Sequence, residues 1–473
     1  MKDVENNNAI FWSGVERFST QLVQFLLGIY LARILLPSDF GLIGMLAIFI
    51  GIGEIISDGG FFRALVQKSQ VKNEEYSSVF WINVIISLSV FICLFFISPY
   101  VATFYNEPSL EILLFVLSSN VIIKSLSIVQ RAKLTISLDF KTLSYISLIS
   151  VLFSGFLAIY LANNDYGVWA LVIQITIRNL IFLIICFLIM RWIPSLKINF
   201  KSVIELFRYG SNLLLVGLID VFFINIYNVI IGKYYSKNDL GFYSRAQQFN
   251  DIVAINVTSI IQRVAFSSLS KVKKDNAYFL KQYRSFLRMG NFIIVPISLA
   301  LIVLAESLIT VILTDKWIQA APFLKLFSVI GIFYFINSLS ITFLNSKGFS
   351  KEFLKIEIIK KTLILFALAL TYKNGIEQII YGQIFVAIVS LYLNTIYNYK
   401  FTSYNFISLL KDILPTIVLG VISFFIVDYI LNYINSDVYK IFCGLTLGFA
   451  LYFLMTNLFR IEESNKLIRY LKA

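Results

Sequence analysis

The chain has 473 residues, of which 58% are hydrophobic and only 14% are charged, and its formal net charge is +13 at pH 7. A soluble protein would need roughly 25% charged residues to cover its surface, so the composition excludes a soluble enzyme and indicates an integral membrane protein. The chain has no histidine, which excludes Ser-His-Asp triads and histidine metal ligands. It also has no Gly-x4-Gly-Lys-Ser/Thr motif, so we do not expect the chain itself to be an ATP-driven pump.

Apolar segments of about 20 residues recur along the chain, and a helix of that length crosses a bilayer core of roughly 30 Å. Their residues do not alternate apolar and polar with period two, which argues against an outer-membrane barrel. We therefore predict an all-α membrane protein with fourteen transmembrane helices. In chain order the segments are centred near Leu22, Ile50, Ser89, Asn120, Val151, Arg178, Asp220, Ile252, Ala300, Ile332, Ala367, Val386, Val421 and Leu447.

The chain repeats a pattern of charged and small residues after 200 positions. The matching pairs are Arg33 and Lys233, Asp39 and Asp239, Gly41 and Gly241, and Arg63 and Arg263. Two similar helical bundles in one membrane chain are a common architecture of secondary transporters. We predict a six-helix bundle at 1–195, a second at 196–405, and two further helices with a tail at 406–473.

The positive charge is concentrated in alternate loops, for example in 191–208, 267–288 and 347–361. This asymmetry follows the positive-inside rule, and it places both termini in the cytoplasm. It also accounts for the net charge without any nucleic acid. We predict amphipathic helices at the membrane surface in 191–208 and 267–288, in contact with anionic lipid.

The three cysteines, Cys93, Cys186 and Cys443, all lie in apolar segments. A free cysteine behaves as a small hydrophobic residue in such surroundings. We therefore interpret these residues as packing residues, and not as a disulfide set or a metal cluster.

The first segment carries a polar stripe. A charge at the middle of a membrane costs about 2.5–3.5 kcal/mol on insertion scales, so charged residues within such segments are candidates for function. Ser13, Arg17, Gln21, Gln24 and Gly28 recur at helical spacing and share one face. We predict that this face lines a bundle interior or a wet cavity. The alternative is that Arg17 extends to the nearby interface.

The second segment carries Glu54 and Asp58 one helical turn apart. Two adjacent carboxylates in a low dielectric tend not to ionise together. Such a pair is suited to hold a proton or a cation. The alternative is that the two acids form ion pairs with Arg17 or Arg63.

Two cations of the first half lie at depth in the fourth and sixth segments. Arg178 stands in the middle of its segment and is the best single candidate for contacting an anionic substrate, with a structural pair to Asp220 as the alternative. Lys124 either faces the interior or extends toward Arg131 at the boundary. Arginine suits a phosphate because its planar fork donates two parallel hydrogen bonds.

The second half mixes charges of both signs. Asp220, Arg245 and Asp251 lie within its first two segments. Glu306 and Lys325 lie close to the outer surface, and we interpret them as an ion pair with each other. The cations of the first half therefore give the stronger indication of an anionic ligand.

A set of motifs resembles one family over the whole chain. The segment Leu31–Leu42 is similar to the first-loop signature of polysaccharide flippases. Similar stretches are Trp12, Arg17 and Gln21 in the first segment, Asp58–Gly60, Gln67, Phe80–Trp81, Gln130–Arg131, Leu138–Lys141, Tyr166–Trp169, Ile231–Lys233 and Leu240–Ala246. The chain thus resembles the Wzx-type flippases for O-antigen, teichuronic acid and exopolysaccharide, within the multidrug/oligosaccharidyl-lipid/polysaccharide exporter superfamily.

This resemblance implies two bundles of six helices, two extra C-terminal helices and alternating access, without enzymatic activity. The implied cargo is an undecaprenyl-diphosphate-linked oligosaccharide, carried from the inner to the outer leaflet of the bacterial cytoplasmic membrane. The alternative is a cation-coupled exporter of drugs or small molecules, which should have an acidic and aromatic cavity. A membrane enzyme is disfavoured because the chain lacks histidine and long outer loops.

Under this interpretation the headgroup of the lipid and the coupling ion use different residues. The predicted contacts of the diphosphate in the lumen are Arg17, Gln21, Lys124, Arg178 and Arg245. The candidates for coupling to a proton or a sodium ion are Glu54, Asp58, Asp220 and Asp251. Besides that ion we expect no metal and no cofactor, and the expected partners are membrane lipid and enzymes of polysaccharide assembly.

Overall fold

The computed structural model describes residues 2–68 and 70–466. Within these residues the chain forms sixteen α-helices and one short 3-10 helix, and no strand. The helices are α1 (Lys2–Ile34), α2 (Pro37–Asp58), α3 (Phe61–Gln67), α4 (Asn73–Tyr105), α5 (Ser109–Ile136), α6 (Phe140–Asn163), α7 (Val168–Met190), α8 (Phe200–Tyr234), α9 (Lys237–Lys271), α10 (Asn276–Val303), α11 (Ala305–Leu313), α12 (Ala320–Lys347), α13 (Ser350–Thr371), α14 (Ile376–Tyr399), α15 (Phe406–Leu431) and α16 (Asp437–Leu458), with the 3-10 helix at Asp315–Trp317.

A helix covers every one of the fourteen predicted centres, which confirms the predicted fold class. Twelve helices in the described part of the chain are long and apolar enough to cross a membrane. The helices at the first and eleventh centres, α1 and α13, are 33 and 22 residues long but more polar. Their polarity comes from the stripe around Arg17 and from the charged stretch 351–361. The chain is a multi-pass membrane protein, since helices satisfy their own backbone groups in lipid.

The chain divides into two compact units, 1–241 and 242–473. Helix α9 begins in the first unit and continues in the second. The predicted division at 195 and 405 follows the sequence repeat, and it stays a prediction. In the first unit, α4 packs on α5, α1 on α6, α6 on α7, and α8 along α2.

The repeat has the same local geometry at its two copies. The Asp39 carboxylate accepts a hydrogen bond of 2.9 Å from the backbone N–H of Leu36. The Asp239 carboxylate accepts one of 3.1 Å from the backbone N–H of Ser236. Both aspartates lie in the first turn of a helix, where a negative charge is favoured and free N–H groups need acceptors. The repeat found in the sequence is therefore a repeat of helix starts.

The segment between α7 and α8 differs from the prediction. Residues 191–199 are not helical, so the predicted amphipathic helix over 191–208 is wrong for its first half. Pro194 has no backbone N–H and disfavours helix at the residue before it. Polar side chains of α4 fasten this segment instead. The contacts are Trp192 Nε1 to Asn73 Oδ1 at 2.9 Å, Trp81 Nε1 to the Ser195 oxygen at 2.9 Å, Ser195 N to Ser77 Oγ at 3.0 Å, and Asn199 N to Ser78 Oγ at 2.8 Å.

In the second unit, α10 packs against α12, α15 and α16, around an apolar core with fully buried aromatic rings such as Phe335 and Phe343. A polar cluster joins α10 to the start of α15. Arg284 donates two hydrogen bonds, of 2.8 and 2.7 Å, to the buried Asp412 carboxylate. The Tyr404 hydroxyl donates a third, of 2.9 Å, and burial raises the pKa of Tyr404, so this donor keeps its proton.

Candidate functional site

A cavity of about 370 Å³ lies inside the first unit, between α1, α2, α3, α5, α6 and α7. Its volume falls in the range of roughly 300–1,000 Å³ that is usual for ligand pockets. The charged lining residues are Glu54, Asp58, Lys124, Arg131 and Arg178. The uncharged ones are Thr20, Gln24, Ser57, Phe62, Val121, Ser125, Ser127, Ile128, Ser147, Ser150, Val151, Asn179 and Phe182. Thirteen of the eighteen lining residues are thus polar or charged, among them three cations and two acids.

Helix periodicity explains which residues reach the cavity. Lys124, Ile128 and Arg131 recur on α5 at spacings of four and three, so they share one face. Glu54 and Asp58 share a face of α2 in the same way. The charged groups therefore come from neighbouring turns of two packed helices, and α7 adds Arg178.

Lys124 and Glu54 form an ion pair across α5 and α2, with 2.5 Å between Nζ and Oε1. Both side chains remain about one third exposed, at 38% and 31%. Glu54 thus pairs with Lys124, and not with Arg17 or Arg63 as the alternative from the sequence had it. The ammonium of Lys124 is held inside the cavity and does not extend to the boundary.

Asp58 is the last residue of α2 and lies at a tight turn. Its carboxylate accepts a hydrogen bond of 3.3 Å from the backbone N–H of Phe62. The turn needs Gly59 and Gly60, whose φ angles are +55° and +76°, because residues with a side chain rarely adopt positive φ. The Arg131 guanidinium lies 5.8 Å from the centre of the Phe62 ring. Asp58 therefore caps α3 while it also faces the cavity.

Arg178 lines the cavity from the middle of α7. Among the side chains of residues 11–68, 70–349 and 351–466, Arg178 has no hydrogen-bond or ion-pair partner, and Asp220 is therefore not its partner. Glu54 is the acid that acts on it electrostatically. A guanidinium has five N–H donors, so Arg178 presents unused donors to the cavity.

Three buried or half-buried polar side chains position the turn of α7 that carries Arg178. The Asn179 side-chain amide donates a hydrogen bond of 2.8 Å to Oδ1 of the Asn120 side chain, and Nδ2 of Asn120 donates one of 3.0 Å to the Thr176 hydroxyl. Asn120 is fully buried on α5. A buried amide must be satisfied by good hydrogen bonds, which makes such a cluster specific for one arrangement. This cluster fixes the rotation of α7 relative to α5, and so the direction of Arg178.

Comparison with known proteins decides the family. Residues 30–322 match the model of the family described as polysaccharide biosynthesis protein, and this segment is more than half of the chain. The protein belongs to the polysaccharide biosynthesis family. The resemblance inferred from the motifs is thereby confirmed.

Two relatives and one solved structure illustrate the relationship. This family member is 27% identical over 298 residues to the teichuronic acid biosynthesis protein TuaB of Bacillus subtilis (strain 168), covering 62% of either chain. It is 25% identical over 318 residues to the succinoglycan biosynthesis transport protein ExoT of Rhizobium meliloti (strain 1021), covering 67% of this chain and 64% of ExoT. The match thus spans a little under two thirds of the length of these relatives. The lipid II flippase MurJ, in an inward closed conformation, shares the fold with a TM-score of 0.74 at 16% identity, over 95% of this chain and 98% of MurJ.

In this family member the structure brings four of the predicted site residues together in one cavity: Glu54, Asp58, Lys124 and Arg178. Arg17 is exposed, and Gln21 is half-buried on α1. Neither lines this cavity, to which α1 contributes Thr20 and Gln24. Gln24 belongs both to the predicted stripe and to the face of α1 that lines the cavity. The two faces therefore overlap, and they differ by a rotation about the helix axis that is smaller than the angle between consecutive residues.

The remaining predicted residues lie elsewhere. Asp220 is exposed on α8 in the first unit, while Arg245 and Asp251 are half-buried on α9 in the second unit. Arg245 donates a hydrogen bond to the side chain of Gln248. Their assignment to the substrate or to a coupling ion stays a prediction.

One ion pair was predicted correctly. Glu306 and Lys325 form an ion pair of 2.6 Å in the second unit, as predicted. The three cysteines are free thiols, of which Cys186 is buried as a packing residue should be, Cys443 is half-buried and Cys93 is exposed. These residues therefore have local roles and supply no part of the cavity.

Sequence reasoning missed the contribution of α6 to the cavity. Ser147 and Ser150 line it, and they belong to a run of serines that also includes Ser144 and Ser154. The spacing of three and four places these hydroxyls on one helix face. This spacing could have predicted that α6 lines the cavity. It was missed because serine is common in membrane helices and is therefore a weak indication of a cavity by itself.

Proposed function

We propose that the protein is a flippase that moves an undecaprenyl-diphosphate-linked oligosaccharide from the inner to the outer leaflet of the bacterial cytoplasmic membrane, for the synthesis of a surface polysaccharide. The observation that carries the proposal is Arg178, whose guanidinium faces a polar cavity without a partner in the described chain. The names of the two relatives, which concern teichuronic acid and succinoglycan, support a polysaccharide pathway.

The charge of the cavity favours an anionic headgroup. Lys124 and Glu54 neutralise each other, and the remaining groups are Arg131, Arg178 and Asp58. The lining therefore has a net positive charge. A cation-coupled exporter of cationic drugs would need the opposite sign, since like charges in a low dielectric repel strongly.

The outward direction of transport is part of this proposal, and the membrane potential supports it. A negative headgroup that moves outward crosses a membrane potential that is negative inside. This movement is favourable by about 2.3 kcal/mol per charge per 100 mV. The potential thus assists export, and Glu54, Asp58, Asp220 and Asp251 are the places where a proton or a sodium ion would couple to it.

The test is complementation of a bacterial strain that lacks its flippase and is supplied with the cognate glycan pathway. We compare wild type, Arg178→Ala and Arg178→Lys at equal membrane levels, with Arg208→Ala as the control, because Arg208 is exposed and lies outside the cavity. We expect surface glycan with wild type and the control, and loss with both Arg178 variants. Full activity of both Arg178 variants would remove this residue from the site. Absence of rescue by wild type would contradict the proposed substrate.

A further inference from the structure

The ion pair between Lys124 and Glu54 differs from the buried pair of Arg284 and Asp412 in the second unit. Asp412 is 3% exposed and accepts hydrogen bonds from Arg284 and Tyr404 on both of its oxygens. Glu54 is 31% exposed, and its Oε1 is bonded to Lys124. Its Oε2 has no hydrogen-bond partner in the described part of the chain. The Asp412 carboxylate thus has hydrogen-bond partners on both oxygens and is shielded from solvent. The Glu54 carboxylate, in contrast, is open to the cavity.

An open pair of this kind contributes little to the stability of the fold. Ion pairs with solvent access are worth about 0–1 kcal/mol, and α2 and α5 already pack closely along their lengths. The pair can therefore be broken at small cost to the bundle. What it does determine is the charge that a ligand meets, because Glu54 occupies the position beside the Lys124 ammonium.

Glu54 also influences the second cation of the site. It lines the cavity from α2, while Arg178 lines the same cavity from α7, and its carboxylate attracts the Arg178 guanidinium. One carboxylate thus moderates the two cations that the proposed function assigns to the diphosphate. A phosphate oxygen that approached Lys124 would compete with Glu54 Oε1 for the same ammonium.

We infer that Glu54 is a built-in counter-anion, which holds Lys124 until a phosphate of the ligand displaces it. This inference rests on the proposed function and names the chemistry at its site, an organic diphosphate or free pyrophosphate. Only an anion that binds Lys124 and Arg178 better than a single carboxylate replaces Glu54. The pair thereby excludes weakly binding anions and gives release a driving force, since Glu54 returns to Lys124 when the phosphate leaves.

The test measures equilibrium binding of two probes, farnesyl diphosphate and inorganic pyrophosphate, to the purified full chain in nanodiscs. The variants are Glu54→Gln, which removes the charge, and Glu54→Asp, which keeps the charge but shortens the reach to Lys124. The control is Glu107→Gln, which removes an acid of the first unit that pairs with Lys237 and lies outside the cavity. Circular dichroism and melting temperature show whether each variant is folded.

We expect Glu54→Gln to bind at least about tenfold more tightly than wild type, which corresponds to about 1.4 kcal/mol, and Glu107→Gln to change affinity by less than about threefold. Glu54→Asp should lie between wild type and Glu54→Gln. A gain with both probes assigns the competition to the diphosphate itself. A gain with farnesyl diphosphate alone assigns it to a lipid headgroup, and a gain with pyrophosphate alone to a free anion.

Unchanged or weaker binding by Glu54→Gln would overturn the inference, as would an equal gain in Glu107→Gln, because either result removes the special role of the pair. Failure of both probes to bind wild type and Glu54→Gln would overturn it too. The flippase proposal is decided separately by complementation with the Arg178 variants. A chain that restores surface glycan but shows no Glu54 effect keeps the proposed function and loses only this inference.

Discussion

Gly41 packs against the backbone of Lys237, four residues before Gly241, and Gly241 packs against the backbone of Pro37, four residues before Gly41. A β-carbon added to Gly41 would stand 1.8 Å from the carbonyl oxygen of Lys237, and one added to Gly241 would stand 2.0 Å from the carbonyl oxygen of Pro37. Pro37 and Lys237 are themselves equivalent positions of the repeat. Such reciprocal contacts are the pattern of an isologous interface between two copies of one surface. The sequence repeat is thus also a packing motif, within the first unit.

This crossing predicts that alanine is not tolerated at either glycine. In Gly41→Ala and in Gly241→Ala the added methyl group would overlap a carbonyl oxygen, so the two backbones must separate. We expect complementation to fall at least about tenfold and the melting temperature to drop by several degrees, since overpacking typically costs about 1–3 kcal/mol. The control is Gly14→Ala, because nothing lies within 4 Å of an added β-carbon there. Wild-type stability and activity in both variants would contradict the close approach.

The hydrogen bond between the buried Asn120 and the cavity residue Asn179 predicts a positioning effect on Arg178. Asn120→Ala removes the partner of Asn179 and of Thr176, and an unsatisfied buried group costs about 1–3 kcal/mol. We expect transport to fall at least about tenfold and pyrophosphate binding to weaken, although Arg178 is unchanged. Ser118→Ala is the matched control, because Ser118 is equally buried on α5 and bonds only within its own helix. Equal effects of the two variants would indicate a general loss of packing instead.

The buried cluster at Asp412 predicts a loss of stability without a change in the cavity. Asp412→Ala leaves Arg284 and Tyr404 without their acceptor, and breaking a buried pair costs roughly 3 kcal/mol. We expect somewhat less, because the Arg284 side chain is 41% exposed. The measurement is the thermal unfolding of the detergent-solubilised protein. In comparison, Glu306→Gln breaks an exposed pair and should cost about 0–1 kcal/mol; a larger loss there than in Asp412→Ala would refute this ranking.

The fastened segment 191–199 predicts resistance to trypsin. The Lys133 ammonium lies 4.3 Å from the ring centre of Trp192, and Trp192 also bonds Asn73. A desolvated cation–π contact is worth about 2 kcal/mol. We expect Trp192→Ala to speed cleavage after Lys197 at least about fivefold, by raising the population of the released segment.

The comparison variant for this experiment is Lys141→Met, which removes a cation–π contact with Trp12 elsewhere in the first unit. Its cleavage after Lys197 should stay at the wild-type rate. Equal cleavage rates in Trp192→Ala and in wild type would show that the segment is held without the tryptophan.

Helix positions could be predicted from the sequence because hydropathy and length are local properties. Helix faces were predictable where charges recur at regular spacing, as for Glu54 and Asp58. The pairing of Glu54 with Lys124 could not be predicted, since it depends on how α2 and α5 pack across 70 intervening residues. The orientation of α1 was missed for the same reason, because Thr20 and Gln21 differ by one step and only packing selects between them.

The hydrogen bonds that hold 192–199 against α4 also limit how the chain can move. A free linker of about eight extended residues could span roughly 26 Å, and would let the following helix shift almost without resistance. Because the backbone N–H groups of Ser195 and Asn199 are hydrogen-bonded to α4, the start of α8 is held in a fixed position relative to α4. Displacement of the far end of α8 must then come from bending along its 35 residues. The hydrogen-bonded segment 192–199 therefore holds one end of α8 in place, and the helix itself is the part that deforms elastically.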